Sequence, residues 1–502
     1  MYIIATASAD TYITNKIIDG VRATDANVGR AGTLDLFKLY DETVSGTTAN
    51  NIEISRILVK FDISRLSSIG TLNINDPTFR SYIRLQSIES GLPSPRDFTV
   101  SVFPLAVPFD EGDGRDVSAF SDIDTCNFLS SSAGTGWNIS GAYATGGVGD
   151  SAIDFYTSGN LQDGLGIRSL ESKQQFSDGN EDLFVEVTDI VSATLGGILQ
   201  NNGFIISFSG SQETDDITRF VKRFASRHVI NHALRPRLES HFKDSIIDSH
   251  NSFYFDTTGS LFLTNDIASS NVNIVSASSP VVGNDCMKIV LSTGSFAITQ
   301  SVSQAKIGNS FLAGVYSSSF AINAFSAQVI TGTLTLKDAV AASGSIIFDE
   351  RWKSNDGSVT FYSSQLTCSL PNRNSGIGQP RQLIVKAVNS QQEFQNNSNY
   401  RFRLFIYDPN FEPSAARMVR SLDSESPEAL YFRVIDAENS YVYIPFEEYQ
   451  NGTRVSQDSS GAYFDVIFDG LPIGKTLMLE YLVVDKGIKY ILRDAGSKFR
   501  VK

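Results

Sequence analysis

The chain has 502 residues, a mass of 54.8 kDa and a formal net charge of −14, a length that suggests about three domains. Its 11% aromatic content supplies the apolar surface that a disordered chain lacks. With 55 acidic against 41 basic residues, it excludes a generic nucleic-acid scavenger, which needs clustered Lys and Arg against phosphate, and disfavours adhesion to anionic lipid.

Taken in chain order, the texture is β throughout, and the class expected is all-β. The opening segment, Met1-Tyr-Ile-Ile and onward through Ala7-Ser-Ala-Asp-Thr-Tyr-Ile13, has no basic n-region and no long apolar core, so an export signal is not expected. Short β-branched or alternating runs follow at Arg56-Ile-Leu-Val-Lys-Phe, Phe98-Thr-Val-Ser-Val-Phe, Phe184-Val-Glu-Val and Phe204-Ile-Ile-Ser-Phe, parted by Gly, Ser, Asn and Asp clusters. That is the pattern of antiparallel sandwiches or barrels. One short helix is expected over 189–199, capped by Thr188 or Asp189 and closed before Gly203, and a second near Ala415. Residues 1–243 therefore read as one β-sandwich ending in a basic, aromatic strand at 219–227. A short acidic connector follows at 243–250. Residues 244–380 read as a second β-sandwich, ending in a Pro- and Gly-rich loop at 371–381, and 381–502 as a third. Seven strands in about 120 residues fit an immunoglobulin- or fibronectin-like sandwich. No apolar run reaches the roughly 20 residues of a membrane helix.

Three distant cysteines, Cys126, Cys286 and Cys368, argue against a disulfide framework or a cysteine zinc site. The glycosylation patterns at Asn138, Asn396 and Asn451 are read as accidental. The acidic loop 110–116 is the first candidate for chemistry. Asp110, Glu111, Asp113 and Asp116, spaced by glycines, could gather oxygens around a hard cation such as calcium, although the spacing is not that of an EF-hand. The plainer reading is a solvated turn in which Arg115 pairs with a neighbouring carboxylate. No cofactor is expected beyond that structural calcium. All four histidines, His228, His232, His241 and His250, fall in one stretch, so any metal-binding or catalytic imidazole comes from there. In the basic strand, Arg219, Lys222, Arg223 and Arg227 alternate with Phe220 and Phe224. They are candidates for gripping an acidic neighbour copy, against the plainer reading of a half-buried sandwich strand.

The order of several segments adds a resemblance. Ala7-Ser-Ala-Asp-Thr-Tyr-Ile13, Arg56-Ile-Leu-Val-Lys-Phe-Asp-Ile63 and Arg235-Pro-Arg-Leu-Glu239 resemble the DNRLRE domain, a jelly-roll-like sandwich related to carbohydrate-binding modules. Further along come Phe109-Asp-Glu-Gly-Asp-Gly-Arg-Asp116, Ser121-Asp-Ile123, Asn127-Phe128, Phe220-Val-Lys-Arg-Phe-Ala-Ser-Arg-His228 and Asn251-Ser-Phe-Tyr-Phe255. With Ala313-Gly-Val-Tyr-Ser, Tyr400-Arg-Phe-Arg-Leu-Phe-Ile-Tyr407 and Gly461-Ala-Tyr-Phe-Asp-Val466, they resemble virion structural proteins of tailed bacteriophages, especially contractile-tailed relatives of the T4 group. Phe109 stands where such proteins often carry Trp. The resemblance implies a non-enzymatic virion component (neck, collar, tail, baseplate or capsid decoration) assembled in the host cytoplasm. Its implied partners are other virion proteins and further copies of itself in a ring, with no nucleic acid and no membrane. Heterologous contacts and unpaired sheet edges would join the copies, with Met1-Tyr-Ile-Ile and the last strand, 498–502, as the edges to inspect.

Two other classes stay open at this point. A glycan-binding adhesin could stack sugars on Trp137, Tyr143 or Tyr156, residues that could equally anchor a core. A carbohydrate-active enzyme would need two carboxylates at working distance, drawn from Asp110, Glu111 and Asp113.

Overall fold

The computed structural model describes residues 1–40, 52–89, 94–118, 124–267, 270–308, 310–371, 382–409, 424–485 and 487–502. The helix expected near Ala415, the motif at 121–123 and most of the loop at 371–381 lie outside them. The described chain is all-β, its strands falling into three groups.

In the first group, the strand Tyr2–Thr14 serves two sheets. Residues 2–6 pair antiparallel with Arg237–His241, which continues to Arg80–Leu85 and Leu183–Glu186. Residues 7–14 pair with Ile52–Phe61, which continues to Phe204–Phe208, Phe98–Pro104 and Ser172–Phe176. The change of sheet falls at Ser8, where Ala7 faces Phe61 and Ala9 faces Lys60. The extra residue is a β-bulge, which bends a strand and re-aims its side chains. Thr33–Tyr40 and Arg219–Ala225 extend the array beside Ile52–Phe61. Phe61, Phe79, Phe98, Phe176 and Phe224, all buried, fill the core between the sheets. A smaller core of Ile13, Leu58, Phe109, Trp137 and Phe155 lies under the loops at 105–118 and 124–155, using opposite parity on the strands of the second sheet.

The helix forms as Thr188–Leu195 and stops at Gly196, short of the expected Gly203. Thr188 does not cap it. Its hydroxyl accepts from the Ser81 N–H and donates to Glu186. Gly203 serves another purpose, since a Cβ there would stand 2.7 Å from the Val59 carbonyl oxygen.

The second group spans Phe253–Tyr254 to Thr360–Ser369. Phe296–Ile307 passes between its two sheets much as the first strand does, pairing with Met287–Thr293 and then with Ser310–Phe320. Trp352, Phe348, Tyr316 and Leu261 meet between those sheets. The third group is a sandwich of four and five strands, with Phe402, Phe432, Phe464 and Tyr481 between them.

Two devices join the groups. Tyr2 and Ile4 point away from the first core into that of the third, while Ile3 stays in the first. Gly470 lies so close that a Cβ would meet the Ile4 carbonyl at 2.4 Å. The N-terminal strand is therefore buried between units, and it is not the open edge expected from the sequence. At 498–502 the chain is also engaged on both sides, Arg500 facing Thr476 and Glu393. The second device is the connector. The Ser456 hydroxyl accepts from the Ile246 N–H and the Gln457 carbonyl from the Asp248 N–H, which ties the connector to the third unit. His250 then reaches into the second, with Nδ1 2.6 Å from Asp248 and Nε2 3.0 Å from the fully buried Glu350. Burial presses the imidazole towards its neutral form, but hydrogen bonds and charge from the two carboxylates outweigh it and raise the pKa to about 10.

Candidate functional site

The acidic loop, the end of the basic strand and one histidine converge at one end of the first sandwich. Asn27 builds the place. Fully buried, it donates through Nδ2 to the Glu111 and Cys126 carbonyls, and its Oδ1 accepts from the Gly29 and Gly114 N–H groups. A Cβ on Gly29 would stand 2.0 Å from the Glu111 carbonyl oxygen, and one on Gly114 1.8 Å from that of Asn27. The glycines of the acidic loop thus permit close approach to Asn27, and the loop is held with Glu111 turned inwards.

Glu111 Oε1 accepts from the Asp10 N–H at 3.0 Å, lies 3.1 Å from His228 Nε2 and 3.3 Å from Arg227 Nε. Asp10, two residues past the bulge, is fully buried. Its Oδ2 accepts from the Arg227 N–H at 2.6 Å, while its Oδ1 has no hydrogen-bond partner among the described residues. Burial pushes the Asp10 carboxyl up to about 8. One ligand atom from each of Asp10, Glu111 and His228 lies within 4.8 Å of the others, the one such group among the described residues. These three could hold a metal ion. Beside them opens a polar cavity of about 470 Å³ lined by Arg30, Glu111, Asp113, Arg115, Arg227 and His228.

The structure sets the four acidic residues of the loop in different places. Of Asp110, Glu111, Asp113 and Asp116, Glu111 alone belongs to the cluster. Asp113 pairs with Arg30 at 2.7 Å. Asp116 turns back on Ser118, whose N–H and hydroxyl donate to it and hold the carboxyl below its usual range. Asp110 is exposed and contributes its backbone, accepting from the Cys126 N–H. In the basic strand, the cations are engaged within the chain. Arg219 grips Asp215 with two hydrogen bonds of 2.8 and 2.7 Å, and these hold that carboxyl well down. Lys222 is fully buried and donates to the Ser87 hydroxyl and the Gly179 and Glu181 carbonyls; burial lowers it to about 8. Arg223 pairs with Asp35, and Arg227 reaches Glu111 and the Ser8 carbonyl.

The other histidines separate. His232 sits on a short 3-10 turn, His241 stacks on Tyr2 and Tyr82 inside the seam between first and third units, and His250 holds the connector. Among the proposed sugar platforms, Trp137 is buried with its indole N–H donating to the Asn127 carbonyl, Tyr156 packs against the first core, and Arg56 covers one face of Tyr143 at 3.7 Å. The sequence reading missed Asp10. A signal was present: Asp10 shares strand parity with Tyr12, which packs into the first core, so its side chain starts out towards the interior.

A second cavity, of about 680 Å³, lies where the three units meet and is lined by Met1, His250, Phe311, Arg401, Arg403 and Tyr463. Arg401 and Arg403 are paired with Asp465 and Asp458. None of the helices among the described residues is long and apolar enough to cross a membrane.

No family model matches the chain, and no curated protein matches its sequence. Among solved structures, a chimeric titin Z1Z2 tandem aligns over 49% of this chain and 91% of its own at 9% identity, with a TM-score of 0.15. The Yersinia pseudotuberculosis adhesin InvE aligns over 51% and 57% at 13% identity and 0.15, and protocadherin gamma B7 over 53% and 61% at 12% and 0.14. TM-scores this low carry nothing about the arrangement or activity of this chain, whose all-β class rests on its own strand pairing.

Proposed function

We propose that the chain is a non-enzymatic structural component of a tailed-phage virion, working as one stiff part alongside other virion proteins and further copies of itself. The observation that carries this reading is the joining of three β units through a shared strand and a paired connector. Modules free to pivot on a linker suit capture of varied ligands, whereas a part of a symmetric particle must present its surfaces in one arrangement. The ordered resemblance to virion proteins supports the same reading. With the N-terminal strand engaged inside the chain, contacts between copies are assigned to broad sandwich faces. The test is proteomic analysis of density-purified particles from the lysed host, with light scattering of the purified chain. The reading expects the chain in the particle band at a fixed copy number. Absence from particles, together with a strictly monomeric chain, refutes it.

A further inference from the structure

We propose that Asp10, Glu111 and His228 form a binding site for a divalent first-row transition cation, zinc in the first instance. Three protein ligands would be completed by water from the adjoining cavity.

The geometry is close to that required. Zinc bonds of about 2.0–2.2 Å to oxygen and nitrogen put tetrahedral ligands roughly 3.4 Å apart. The Glu111 Oε1–His228 Nε2 separation is 3.1 Å, and Asp10 brings its oxygen within 4.8 Å of both. The independent pointer is Asp10 itself. A fully buried carboxyl whose Oδ1 has no hydrogen-bond partner among the described residues is an unsatisfied group, and a bound cation would give that oxygen a partner. The ligands stand on constrained supports: a strand just past its bulge, a loop pinned by Asn27, and a turn in which the His228 N–H donates to the Ser226 hydroxyl. Rigid placement of this kind makes a site specific. The donor set of two carboxylates and one imidazole suits zinc, manganese or cobalt. Calcium and magnesium, which seek six or more oxygens, suit it poorly.

Arg227 is the competitor. Its guanidinium stands beside Glu111 and also donates to the Ser8 carbonyl, and the side chain is about a third exposed, so a bound ion would require it to turn outwards into the cavity. Its backbone N–H, which holds Asp10, stays where it is. A bound ion would tie together three segments separated by 101 and 117 residues along the chain.

Calorimetric titration of the chelator-stripped full chain with zinc chloride tests this, with thermal unfolding as a second readout. One equivalent is expected to bind and to raise the unfolding temperature, while calcium chloride leaves both unchanged. His228→Ala and Glu111→Gln are each expected to weaken zinc binding by at least about 100-fold, and Arg227→Gln to tighten it. Cobalt(II) added to the wild-type chain is expected to give the intense visible bands of four-coordinate geometry, a result that needs no ligand variant to fold. Failure of the wild-type chain to bind zinc, or equal binding by a folded His228→Ala variant, overturns the proposal. Weak octahedral cobalt bands with no tightening in Arg227→Gln overturn it as well.

Discussion

Replacing His250 with alanine removes the cation standing between two buried carboxylates, and the cost follows from their surroundings. Glu350 is fully buried, Asp248 nearly so, and Glu350 Oε1 also accepts from the Trp352 indole N–H while Oε2 has no hydrogen-bond partner among the described residues. Without the imidazolium, Glu350 must stay charged in an apolar core or take up a proton. Breaking a buried pair in this way typically costs about 3–5 kcal/mol. The raised pKa supports the same scale, because a rise from 6.5 to about 10 corresponds to roughly 5 kcal/mol of differential interaction as an upper figure. Since the folded-state pKa is the higher one, this stabilisation is complete below about pH 6.5, declines as pH rises, and is gone above about pH 10. Urea unfolding at pH 6, 8 and 10 measures it. Trp352 reports on the second unit by fluorescence, in a Trp137→Phe background that removes the other indole. The wild-type midpoint should fall steeply between pH 6 and 10, while the His250→Ala midpoint starts low and shows a much flatter decline. A variant within about 1 kcal/mol of wild type at pH 6, or one with the full wild-type pH slope, would sink the argument.

Other consequences are open to direct measurement. Arg56 meets Glu213 through two hydrogen bonds of 3.0 and 2.5 Å in a buried setting, so Glu213→Ala should destabilise the first unit by about 3–5 kcal/mol in denaturant titration. Ile4→Ala, which removes apolar volume at the seam between first and third units, should cost about 2–4 kcal/mol and open the seam to limited proteolysis. Gly114→Ala should displace the acidic loop, seen as faster amide exchange across 110–116, because its Cβ would overlap the Asn27 carbonyl. Of the three cysteines, Cys126 and Cys368 are buried and Cys286 is partly exposed. A thiol reagent should therefore modify one equivalent in the native chain, at Cys286, and three after unfolding.

The β character, the short helix near 190 and the density of structure after 382 were legible because alternation and turn chemistry are local properties. The acidic loop was recognised as a special segment, read as a solvated turn or a calcium site. Its glycines suggested a ring of oxygens around calcium, whereas they allow contact with Asn27, more than 80 residues earlier. The basic strand illustrates the same limit. Its alternation of cations and phenylalanines describes a two-faced strand correctly, yet cannot tell solvated arginines from ones closed on Asp215, Asp35 and Glu111.

What the sequence by itself determined is the class of structure and the residue types at hand, since a period of two and the placing of turn residues act over a few positions. Only the tertiary structure decided that one strand is shared by two cores, that the connector ties the second unit to the third, and that Asp10, Glu111 and His228 meet. The physical reason is that each of these depends on long-range strand pairing. A bulge at Ser8 directs the strand between sheets, and charges more than 100 residues apart become neighbours only after those sheets have closed.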